Sequence, residues 1–182
     1  MAYFDNAATT YPKPEAVYAS MDQFYRSNGA NAGRGRYNLA QSANALIGET
    51  RALVQELLHC PSKQVVFTPT ATIALNIIIQ GLIRKGAETI YISPFEHNAV
   101  TRTLHYYEES GTISVHQLTV SRDFKYDLDR MRYQFEAERP DLVIMSHASN
   151  VFGLIAPVTE ICSLAKKFGA TTVIDMAQTA DL

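Results

Sequence analysis

Residues 142–175 read LVIMSHASNVFGLIAPVTEICSLAKKFGATTVID. The stretch opens on an apolar run, Leu142 to Ser146, and passes through a polar segment. It then takes up helical spacing in Val158, Ile161, Leu164 and Phe168 behind Pro157, and closes on the β-branched run Thr171 to Asp175. A proline at the first helical turn and a change of apolar period from continuous to 3.6 mark strand, crossover helix and strand, the unit from which parallel sheets are built. Working outward, the same alternation runs from about residue 65. Strands are expected near Val65–Phe67, Thr89–Ile92 and Thr112–Leu118, with helical stripes at Val100, Leu104 and Tyr107, and at Leu128, Met131 and Phe135 behind an Asp127 cap. The class is α/β, with helices around a mostly parallel sheet. Segment 71–83 is apolar nearly all round except for Thr72, Asn76 and Gln80, and is expected to be a buried helix with one narrow polar strip.

Residues 1–64 are organised differently. Helical periodicity covers 14–27 and 39–58, the latter through Leu39, Ala43, Leu46, Thr50, Leu53, Val54 and Leu57. Between them lies a glycine-rich basic loop, Asn28 to Arg36. The expected division is an N-terminal arm, loop and helices over 1–64, and a partial α/β domain over 65–182.

The chain has 182 residues, of which 47% are hydrophobic and 19% charged, enough for a self-supporting core of about one domain. Sixteen basic against eighteen acidic residues give a net charge of -2 without a long run of either sign, which argues against a nucleic-acid surface. The longest apolar candidate, Ile77 to Ile83, is broken by Gln80 and Gly81, so no membrane span is expected. The first residues lack a positive leader and an apolar core. With two cysteines, Cys60 and Cys162, a cytoplasmic protein is expected. Both cysteines read as structural. The histidines at 59, 97, 105, 116 and 147 lack zinc-ligand spacing, so no metal site is expected.

Four positions fall where a strand gives way to a loop or helix, where ligands collect on open α/β sheets. Thr68-Pro69-Thr70-Ala71-Thr72 places hydroxyls and unpaired N–H groups at the start of a helix. That is either a phosphate site or a Ser/Thr helix cap, and the glycines and lysine of a P-loop are absent. In Glu96-His97, the histidine fits a ring stacked on a flat ligand, a proton carrier or a helix N-terminal residue. His147-Ala148-Ser149-Asn150 follows the third of these junctions. Asp175 ends an apolar run, and a carboxylate there needs a partner: a cationic ligand atom, an arginine, or a backbone cap.

Taken in order, six motifs resemble the class V aminotransferase family, fold type I enzymes dependent on pyridoxal 5'-phosphate, and within it the cysteine desulfurases. They are Asp5 to Thr10 with Pro12, Asn31 to Gly35, Phe67-Thr68 with Ala71-Thr72, Glu96 to Ala99, His147 to Asn150 with Gly153, and Val173 to Asp175 with Ala177-Gln178. The resemblance covers essentially the whole chain. It implies that Ala71 and Thr72 hold the cofactor phosphate, that His97 stacks on the pyridine ring, and that Asp175 pairs with the ring nitrogen. Asn150 and Gln178 are implied to reach the ring hydroxyl oxygen. It further implies an amino acid substrate, cysteine, whose sulfur passes to an enzyme cysteine as a persulfide with release of alanine, together with a homodimer and a sulfur-acceptor protein.

The chain departs from the family pattern at Thr70, where many desulfurases have glycine, and at Ile73 and Val151, where many have glutamate. No His-Lys pair occurs, so the family's Schiff-base lysine, in a Ser-x-His-Lys-like segment, is expected beyond Leu182 together with the persulfide cysteine and the small domain. The chain therefore reads as the N-terminal half of an enzyme. Alternatives are another class V lyase or aminotransferase, and a non-catalytic module that binds the cofactor or a partner.

Overall fold

The computed structural model describes residues 2–33 and 35–180. Met1, Arg34 of the glycine-rich loop, and Asp181 and Leu182 of the closing segment lie outside the described residues. The chain divides into two units, 2–67 and 68–180.

The first unit holds α1 (Glu15–Asn28) and α2 (Asn38–Leu57). A Cβ at Gly35 would lie 2.5 Å from the Tyr37 ring and 2.9 Å from Ala40 Cβ, so the approach to α2 needs glycine. Of the apolar stripe on α2, Ala43 is buried, together with its neighbour Ala40, whereas Leu39, Leu46, Leu53 and Leu57 are exposed. Val65–Phe67, expected as a strand, forms no strand, and Val66 and Phe67 are exposed. β-branched residues favour a pleated, half-buried surface, and among the described residues no neighbouring strand supplies one.

The second unit runs α3 (Ala71–Arg84), β1 (Thr89–Ile92), α4 (Asn98–Glu109), β2 (Ser114–Gln117), α5 (Leu128–Ala137), β3 (Leu142–Ser146), α6 (Val158–Lys167) and β4 (Thr171–Asp175). The sheet order is β2-β1-β3-β4 and all three pairings are parallel. β2 is shorter than the Thr112–Leu118 run suggested by composition, because Thr112 closes the turn after α4 by donating to the Tyr107 carbonyl.

Alternate residues of the two central strands feed two cores, as the two-residue period of a strand requires. Ile90, Ile92, Leu142 and Ile144 meet Leu75, Ile79, Ile83, Val100 and Leu104 of α3 and α4. Tyr91, Val143 and Met145 meet Met131 and Phe135 of α5, and Ile161 and Leu164 of α6. The expected Asp127 cap forms, accepting from the Arg130 amide at 3.0 Å.

Helix α3 is not buried all round. Leu75, Ile79 and Ile83 pack inward, one every four residues, while Ile73, Ile77 and Ile78 are exposed. A helix on one face of a sheet can turn only one stripe to it, and no element of this unit covers the far side of α3.

The connections leaving β1 and β3 diverge. One leads through α4 to β2 at one edge and the other through α6 to β4 at the opposite edge, so the crevice at the carboxyl ends of β1 and β3 is the topological switch point of the sheet.

Candidate cofactor site at the carboxyl edge of the sheet

The start of α3 is built by two threonines. Thr68 Oγ1 donates to the Thr70 carbonyl at 3.0 Å, and Thr70 Oγ1 accepts from the Ile73 amide at 3.2 Å. Thr70 is therefore the helix cap, and its hydroxyl is engaged inside the helix. The first intrahelical bond runs from the Ala74 amide to the Thr70 carbonyl, which leaves the Ala71 and Thr72 amides without an acceptor among the described residues. Two unpaired N–H groups, the positive end of the helix dipole and the adjoining Thr72 hydroxyl form a donor set with the chemistry of a phosphate site. The cap and the phosphate readings thus fall on different atoms of one turn.

His97 caps α4, its Nδ1 accepting from the Ala99 amide at 3.1 Å. With that nitrogen an acceptor, a neutral ring carries its proton on Nε2. Thr72 and His97 line the same open groove of about 750 Å³, which continues between α3 and α4 past Asn76, Arg102 and Tyr106. Asn76 ties the two helices together by accepting from Thr103 Oγ1 at 2.7 Å. Ala71, Asn150, Asp175 and Gln178 do not line this groove.

Asp175 ends β4. Its Oδ1 accepts from the Ala177 amide at 2.9 Å, and no lysine or arginine pairs with it among the described residues. A backbone cap therefore takes one carboxylate oxygen, and no lysine or arginine among the described residues pairs with the other. Asn150 is exposed in the turn after β3. In that turn Ser149 Oγ accepts from the Val151 and Phe152 amides, both at 3.3 Å, and Gly153 takes φ +66°. Gln178 is half-buried in the turn after β4. That turn is anchored to the end of β3, since Thr179 Oγ1 lies 2.8 Å from His147 Nδ1.

Glu96 carries more of this edge than its sequence position suggested. Its Oε1 accepts from the Ser146 amide at 2.6 Å and its Oε2 from Ser146 Oγ at 3.1 Å. Burial pushes its carboxyl up to about 7, with the negative charge of Asp175 adding to the rise and the Ser146 bonds opposing it. The desolvation argument that singled out Asp175 applies also to a glutamate in the short segment after a buried strand, here β1 ending at Ile92. The signal was present in the sequence, but the serine partner fifty residues away was not visible there. Both cysteines are unpaired and half-buried. No helix among the described residues is long and apolar enough to cross a membrane.

A parallel sheet covered by helices on both faces is the architecture of the large domain of fold type I enzymes. The family pattern described as aminotransferase class-V matches residues 2–181, and the chain belongs to that family. Within it, the chain is similar to cysteine desulfurases. It is 32% identical to a probable cysteine desulfurase of Xylella fastidiosa strain Temecula1 over 99% of this chain and 44% of the relative. It is 30% identical to one of Pyrococcus abyssi over 97% of this chain and 44% of the relative. The solved apo cysteine desulfurase of Thermococcus onnurineus NA1 superposes with a TM-score of 0.89 at 29% identity, covering 98% of this chain and 44% of that one. The chain thus spans less than half the length of the relatives it matches.

Proposed function

We propose that this chain provides the phosphate-binding, ring-stacking and ring-nitrogen groups of a pyridoxal 5'-phosphate site belonging to a cysteine desulfurase. The carrying observation is the division of labour at α3. Thr70 closes the helix, so the Ala71 and Thr72 amides and the Thr72 hydroxyl are left to bind the phosphate. His97, held by its Nδ1 bond to Ala99, offers its ring face to the pyridine. Asp175, fixed by Ala177 and with no lysine or arginine paired to it among the described residues, suits a protonated ring nitrogen. Asn150 and Gln178 approach the ring hydroxyl from the adjacent β3 and β4 turns. When bound, the cofactor supplies an electron sink for the amino acid substrate, here cysteine, and the Asp175 carboxylate keeps the ring nitrogen protonated so that the sink stays effective. A homodimer and a sulfur-acceptor protein accompany this reading.

One observation favours a second reading, a module that holds the cofactor without turnover. No His-Lys pair occurs among the 182 residues. Lys166 and Lys167 lie in the last turn of α6, at the opposite end of the sheet from the site.

Titration with pyridoxal phosphate, borohydride reduction and peptide mass mapping test both readings. The expected result is reversible binding that weakens in His97→Ala but not in His105→Ala, with no stoichiometrically modified lysine and no sulfide released from cysteine. A single fully modified lysine with desulfurase turnover would show the catalytic apparatus to be complete in these residues. In a longer form that includes a Ser-x-His-Lys-like segment, sulfide release from cysteine without amino transfer to a 2-oxo acid separates a desulfurase from an aminotransferase.

A further inference from the structure

At the switch point the ladder between β1 and β3 ends, and one side chain continues it. Ile92 is the last β1 residue in register with β3, opposite Ile144, and the Ser93 amide still donates to the Ile144 carbonyl at 3.1 Å. Two residues further on, the Ser146 amide donates to the Glu96 carboxylate in place of a β1 carbonyl, and the Ser146 hydroxyl donates to the second oxygen. On one side of this bridge is His97, the next residue along the chain. On the other is Asp175, in register with Ser146, its carbonyl accepting from the His147 amide at 2.8 Å.

Resting on the cofactor reading above, we propose that Glu96 is a positioning residue: its carboxylate takes the place of the missing ladder carbonyl and locks the His97 loop to the strand pair that carries Asp175. The stacking group and the ring-nitrogen group, which come from strands separated by β3, are thereby held in one register before the cofactor arrives. Replacing a backbone carbonyl with a carboxylate also makes this joint titratable, because its two charge-assisted bonds weaken on protonation. The titratable groups facing Glu96 are Asp175 from β4 and Tyr126 from the β2–α5 connection, whose hydroxyl is 2.8 Å from Ser93 Oγ. Neither is a cation, and burial places the Glu96 transition near neutral pH.

Amide NMR of the whole chain, recorded from about pH 5 to pH 9, tests this without the cofactor. The Ser146 amide is expected to titrate with a midpoint near neutrality, and to be flat in Glu96→Gln, which keeps an acceptor but no charge. Hydrogen exchange at Ser146 and Ala99 should accelerate about tenfold in Glu96→Ala and stay within about threefold of wild type in Glu96→Gln. Affinity for pyridoxal phosphate should follow the same order. Should Glu96→Ala fail to fold, Ser146→Ala removes only the hydroxyl bond and should accelerate Ala99 exchange by about threefold. A Ser146 titration unchanged in Glu96→Gln, or exchange unchanged in the alanine variants, overturns the proposal. If the amide behaviour holds but the wild-type chain does not bind the cofactor, the bridge is only structural and the cofactor reading fails. If the cofactor binds and the variants bind it equally, the positioning role fails and the cofactor reading stands.

Discussion

Thr179 Oγ1 and His147 Nδ1 lie 2.8 Å apart, joining the turn after β4 to the end of β3. Thr179 is 1% exposed, so its hydroxyl has no water to fall back on. Thr179→Val keeps the shape and removes the partner of a half-buried ring nitrogen. It is expected to cost about 1 to 2 kcal/mol in urea unfolding, and to raise hydrogen exchange at Gln178 in the same turn.

Asp175→Asn should leave the fold intact, because an asparagine Oδ1 can still accept from the Ala177 amide. Unfolding free energy should change by less than about 0.5 kcal/mol. Affinity for pyridoxal phosphate should fall about tenfold, a difference of about 1.4 kcal/mol, through loss of the ring-nitrogen partner. Since the Asp175 charge helps to raise the Glu96 carboxyl, the Ser146 amide titration should move to lower pH in this variant.

The raised Glu96 carboxyl sets the sign of one pH effect. Its ordinary value is 4.5 and its folded value about 7, so between these the folded state binds more protons than the unfolded one. Stability is therefore present in full below 4.5 and declines as pH rises through about 7. The ceiling on the loss is about 3 kcal/mol. Unfolding curves between pH 5 and pH 8 should show this decline in the wild type and a flatter profile in Glu96→Gln.

Two isoleucines two residues apart on α3 should behave oppositely. Ile79 is fully buried against the sheet, and Ile79→Ala is expected to cost about 3 kcal/mol. Ile77 is 61% exposed, and Ile77→Ala should change stability by less than about 0.5 kcal/mol. Equal losses would mean that the far side of α3 is covered in solution.

Much of the candidate site was legible because its parts are local. Glu96-His97 and Asp175 stand at or just past the end of a strand and Thr68 to Thr72 open a helix, and desolvation or capping chemistry marks them without knowledge of the fold. The α3 turn shows the limit of that reading. Thr70 reads as a departure from a family pattern, and only its 3.2 Å contact with the Ile73 amide shows it to be the cap of α3.

The sequence by itself determined the parallel α/β class, the cores of the four strands, the Asp127 cap and the family, because each depends on apolar period, capping chemistry or motif order within short stretches of chain. Tertiary structure decided the rest. The exposed Ile77 beside the buried Ile79, the missing strand at Val65–Phe67, and the choice of Ser146 as the partner of Glu96 all depend on which surfaces meet across the fold. Side-chain burial and ladder pairing are properties of two segments at once. A single segment can display an apolar face or an unpaired carboxylate, but what covers the one and what bonds the other is settled only when distant parts of the chain come together.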